Sequence, residues 1–84
     1  ITKRGVTLAK KGKWEEAVQI WEQVIYHEPD NAAAYYNLGV AHEGLGDLES
    51  LKTARDLYSR AADYGGNELY TDGIRRVDGI INPG

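Results

Sequence analysis

Residues 5–48 read GVTLAKKGKWEEAVQIWEQVIYHEPDNAAAYYNLGVAHEGLGDL, and within them one pattern occurs twice, 34 positions apart. Gly5 recurs as Gly39, Gly12 as Gly46, and Lys13-Trp14 as Asp47-Leu48. Pro29 with Asp30-Asn31 closes the first copy before Ala32 opens the second. A fixed period of this length marks helical hairpins stacked side by side. Each unit of such an array packs its apolar face on its neighbour and leaves a solvent-facing groove, so arrays bind other proteins far more often than they carry out chemistry.

Outward from this stretch, apolar residues fall at helical spacing almost throughout, and no segment alternates as a strand would. A first helix over residues 2–11 stops at Gly12, the usual left-handed cap residue. Trp14, Ala17, Val18, Trp21, Val24 and Ile25 form the strongest amphipathic stripe, and Pro29 ends that helix because proline cannot continue the hydrogen-bond ladder. Asp30 or Asn31 can cap the next helix, whose buried face is Tyr35, Leu38, Gly39, His42 and Leu45 and whose end is Gly46. A helix from Leu48 to Tyr64 turns Leu48, Leu51, Ala54, Tyr58 and Ala61 inward and stops at Gly65-Gly66. The last helix starts near Asn67, with Leu69, Gly73, Val77 and Ile80 on one side, and ends at Asn82-Pro83-Gly84.

This arrangement resembles the tetratricopeptide repeat (TPR) family. In the first copy the matching residues are Gly5, Leu8, Gly12, Trp14, Ala17, Trp21, Val24 and Pro29. In the second they are Tyr35, Leu38-Gly39, His42 where Tyr is usual, Gly46-Asp47 and Leu48, then Ala54, Tyr58 and Ala61 three residues late. The resemblance implies an all-α fold, a right-handed α-solenoid of two helical hairpins plus a C-terminal capping helix. Repeat one would cover residues 1–31, repeat two 32–66 with a three-residue insertion, and the cap 67–82. The inserted triplet between Asp47 and Thr53 should lengthen the following helix by nearly a turn or widen the turn before it. Starting at Ile1, with no Met in the chain, the sequence reads as a fragment of a longer protein that begins inside a repeat.

Composition bounds the rest. At 84 residues the chain is one small domain. A hydrophobic fraction of 42% and a charged fraction of 27% are those of a folded chain rather than a disordered one. No apolar run is long enough for a membrane span. The formal net charge of -3 argues against affinity driven by nucleic-acid phosphates. With no Cys there is neither a disulfide framework nor a thiolate metal site.

Two His-Glu pairs, His27-Glu28 and His42-Glu43, invite a metal or catalytic reading. A zinc-protease helix needs a second His four residues after the first, and Gly46 occupies that place after His42. Gly44-Leu45-Gly46 lacks the further glycine and the preceding strand of a phosphate-binding loop, and reads as a helix ending. No catalytic residue, metal ligand or cofactor is expected, and nothing argues for an enzyme. Lys3, Arg4, Lys10, Lys11 and Lys13 precede the first acidic residue, Glu15, either as a patch for an acidic partner or as a solvated helix end that complements its dipole.

In the family, the groove wall is built from the first helix of each hairpin, on the face opposite the packing positions. The resemblance therefore places Val6, Ala9 and Lys10, with Tyr36, Asn37, Val40 and Glu43, along a groove for a protein or peptide partner. Tyr36 stands out, because Tyr35 already fills the packing place and adjacent helix residues cannot share a face. It is either an exposed ligand anchor, in which case Tyr36→Ala would weaken a partner without lowering the melting point, or a cover for the final helix. Some family members clamp a carboxylate terminus with Lys and Asn at fixed groove positions; only Asn37 matches, so a mixed apolar and polar groove fits better. The function expected is a noncatalytic protein-interaction module that scaffolds an assembly. The alternative is a structural domain that packs within a larger protein or self-associates through its open N-terminal end.

Overall fold

The computed structural model of the chain describes residues 13–84, which contain four α-helices and no strand among the described residues. They are α1 (Trp14–His27), α2 (Ala32–Leu45), α3 (Leu48–Tyr64) and α4 (Glu68–Ile81), each packed on the next. The expected helix over residues 2–11 lies outside the described residues.

The helix ends follow from single residues. After His27 the chain leaves the helix at Glu28, whose N–H still donates to the Val24 carbonyl at 2.8 Å, and Pro29 prevents continuation. Of the two candidate caps for α2, Asn31 does the work: its Oδ1 accepts from the Ala34 N–H at 3.0 Å. Gly46 closes α2 with φ of 80°, a left-handed value that other residues reach only under strain. Asp47 then caps α3, accepting from the Ser50 N–H at 3.2 Å and its hydroxyl at 2.6 Å. Asn67 caps α4 through the Leu69 N–H at 2.9 Å.

The helix where extra length was expected is the longer one: α3 is 17 residues long against 14 for α1, and the turn before it is the two residues Gly46-Asp47. The last residue of α3, Tyr64, stacks its ring on Tyr35 of α2 with centroids 5.5 Å apart.

The core is a continuous seam between successive helices. Trp21, Ala17 and Val24 of α1 close on Ala34, Leu38 and Ala41 of α2. Tyr35 of α2, Ala61 of α3 and Tyr70 of α4 make a second cluster, and Leu51, Ala54 and Tyr58 of α3 with Val77 of α4 a third. Alanines at the contacts let backbones approach while a few large rings fill the space between them.

Four expected burials are corrected. Leu69 and Ile80 of α4 are 54% and 52% exposed, and the buried face is Tyr70, Gly73 and Val77. Adjacent apolar pairs, Leu69-Tyr70 and Ile80-Ile81, allow two overlapping stripes on this helix, and packing against α3 selects the second. Leu48, the first residue of α3, is 54% exposed, and Leu45 sits at the surface near the end of α2. Both flank the tight turn, where there is no neighbouring helix to cover them among the described residues.

Candidate functional site

Tyr58 organises the site. Its ring is fully buried between α2 and α4: a Cβ on Gly39 would lie 2.7 Å from it on one side, and a Cβ on Gly73 2.9 Å on the other. Glycine is required at both positions because any side chain would occupy the ring's space. The hydroxyl donates to Glu43 Oε1 at 2.7 Å. Arg76 grips the same carboxylate with two parallel bonds, Nε to Oε2 and Nη2 to Oε1, both 2.8 Å. Glu43 of α2 is thus held by α3 and α4 together, in the bidentate geometry that makes such pairs strong.

This network sets the protonation states. The hydrogen bond from Arg76 is the main cause holding the Glu43 carboxyl below its ordinary value, against the opposing effect of burial. Burial first, then the bond to Glu43, pushes the Tyr58 phenol upward, so it stays a donor. Bonding to Glu43 raises Arg76 in turn. A carboxyl depressed in the fold contributes stability that is present above its unfolded-state value and is lost as pH falls through the lower folded-state value. Glu43→Gln is therefore expected to flatten the acid limb of the stability curve in that window, read by denaturant melts at stepped pH. His42, lowered by burial, loses its contribution at higher pH, just below the ordinary histidine range, and this step should survive in Glu43→Gln.

Beside the network, an open-sided cavity of about 330 Å³ is lined by Trp14, Tyr36, Val40, Glu43, Gly44 and Arg76. Trp14 enters from the start of α1 and lies against the backbone of Gly44, where a methyl group would collide with the indole. This contact gives Gly44 a packing reason inside α2. Three aromatic or aliphatic walls with one satisfied ion pair suit a small number of apolar side chains with a polar backbone alongside.

Among the expected groove residues, Tyr36, Val40 and Glu43 line this cavity together, and Asn37 is half-buried on α2 outside its lining. Val6, Ala9 and Lys10 lie outside the described residues. Tyr36 is not the free-standing aromatic that one reading allowed. Its ring is half-buried against Tyr58 and Tyr70, with centroids at 5.4 and 5.2 Å, so it packs on α3 and α4 while also lining the cavity. Tyr36→Ala is accordingly expected to cost about 2 kcal/mol of stability, the loss of a partly buried ring with two aromatic neighbours, and a thermal melt would register it.

Arg76, Trp14 and Gly44 are the lining residues that sequence reasoning missed, Gly44 having read only as part of a helix ending. Trp14 was absorbed by the packing stripe of its helix. For Arg76 the sequence holds no local signal, because its partner Glu43 is 33 positions away. Among the described residues no group of three or more His, Cys, Asp or Glu side chains could hold a metal ion, and no helix is long and apolar enough to cross a membrane.

In comparison with family models, residues 5–46 match the TPR repeat. Comparisons with curated proteins and with solved structures found no match.

Proposed function

The chain belongs to the tetratricopeptide repeat family, whose units generally mediate protein–protein interaction and scaffolding, and from that premise we propose that it is a noncatalytic module holding a peptide segment of its partner against α2 and α4. The observation that carries this reading is the cavity bounded by Trp14, Tyr36, Val40 and the Glu43–Arg76 pair. Its volume of about 330 Å³ is that of a site for one or two side chains, and its walls are rigid because each lining residue is fixed by packing or a bidentate bond. An extended or helical segment with apolar side chains fits such a wall.

Within the proposed division into repeats 1–31 and 32–66, α4 serves as the cap. On α2, Ala34, Leu38 and Ala41 face the preceding helix while Tyr35 and Gly39 face the following one. The corresponding faces of α4 are Tyr70, Ile74 and Val77 toward α3, then Thr71 and Arg75, with Asp78 at the rim bonded to Arg55 of α3. That second face is polar and exposed, as the end of an array requires.

A peptide selected from a display library against the chain tests the site. Amide shifts on binding are expected at Tyr36, Val40, Glu43, Gly44 and Arg76, and Val40→Thr should weaken the peptide several-fold by putting a hydroxyl into the apolar wall. Shifts clustered instead around Glu15, Gln19 and Glu22, exposed on α1, would reject the groove reading.

A further inference from the structure

An exposed stripe of α4 carries Leu69, Asp72, Arg76 and Gly79, spaced three, four and three residues apart, with Ile80 beside Gly79. This is the spacing of a helix-pairing seam. Leu69 and Ile80 are 54% and 52% exposed, and the Asp72 and Arg76 side chains 52% and 48%. Gly79 has no local explanation: its φ is not positive, and a methyl group placed on it would meet nothing within 4 Å among the described residues. A glycine inside a helix costs about 1 kcal/mol relative to alanine, so its small size is an expense that the described fold does not require.

The order apolar, acidic, basic, small is complementary to itself when reversed. Under a two-fold axis, Leu69 of one copy falls over Gly79 of the second copy and Asp72 falls against Arg76 of the second copy, and both relations are repeated by symmetry. Arg76 donates to Glu43 through Nε and Nη2, which leaves Nη1 for another carboxylate, and Asp72, whose Oδ1 accepts from Arg75 of its own helix, keeps Oδ2 for the Arg76 of the second copy. We propose that α4 pairs antiparallel with α4 of a second copy of this chain. The seam is one 14-residue helix, about 21 Å long, so the buried area falls below that of a standard stable dimer. The association is accordingly weak. The face meets the groove only at Arg76, and the pairing stands independently of peptide binding there.

The absence of Cys makes single-cysteine cross-linking clean. Sedimentation equilibrium from about 10 μM to about 1 mM is expected to show a monomer–dimer equilibrium. In an oxidised mixture of the Leu69→Cys and Gly79→Cys variants, the mixed disulfide dimer should exceed either like-with-like dimer. Gly79→Leu, which touches nothing in the monomer, should weaken association by at least about tenfold while the dilute protein melts no lower than the parent. A pure monomer at the highest concentration, a predominance of 69–69 links, or undiminished association of Gly79→Leu would each overturn the proposal.

Discussion

Tyr58→Ala is expected to leave the chain largely unfolded at room temperature. Truncating a fully buried aromatic costs about 3–5 kcal/mol, and a domain of this size has little more than about 5 kcal/mol in total. The cavity cannot collapse cheaply, because the walls on both sides are the glycine backbones Gly39 and Gly73, which carry no side chain to fall into the space. The hydroxyl goes with the ring, so the bond to Glu43 disappears as well. Tyr58→Phe separates these effects. It keeps the ring and removes only the hydrogen bond, and because Arg76 still holds Glu43 the cost should be about 1 kcal/mol. Circular dichroism melts of both variants check the pair. A cooperative transition for Tyr58→Ala within a few degrees of the parent would show that the ring is not the joint of the three helices.

The reverse substitutions probe the same joint from outside. Alanine at Gly39 or Gly73 would place a methyl group 2.7 or 2.9 Å from the ring, and the ring, enclosed on its other side, has no free space into which to move.

The repeat was legible because its marks are local. Pro29, Asn31 and Gly46 act through their own backbone or the next turn, so reading them needs no knowledge of the fold, and the helices begin and end beside them. The face of α4 was not legible. Leu69 and Tyr70, like Ile80 and Ile81, are adjacent and comparably apolar, so spacing alone permits both stripes. The choice rests on Tyr58, which needs the backbone of Gly73 against it and so brings Tyr70 and Val77 inward. Arg76 was hidden for a related reason. A charged residue on a helix surface is unremarkable until the fold brings Glu43 within 2.8 Å of it. Register could put Glu43 on one face with Tyr36 and Val40, which line the cavity with it, but its bonds to two other helices could not be read that way.

Trp21→Ala is the second change expected to unfold the chain, through a different seam. Trp21 is 1% exposed and sits among Ala17, Val24, Ala34, Leu38 and Ala41, at the joint between α1 and α2. Three of those five neighbours are alanines, already the smallest side chains that can pack there, so the void left by the indole has few atoms free to rotate into it. The cost is therefore about 3–5 kcal/mol. The two large losses differ in where they act. In a linear array each unit is stabilised by its nearest neighbours, so Trp21→Ala should release α1 from α2 before the Tyr58 joint between α2, α3 and α4 is disturbed. Hydrogen exchange distinguishes them: in Trp21→Ala, protection should fall first across residues 14–27 and last around Tyr58, and in Tyr58→Ala the order should reverse. Equal loss of protection across all four helices in both variants would mean that the chain unfolds as one cooperative unit rather than from one end of a stack.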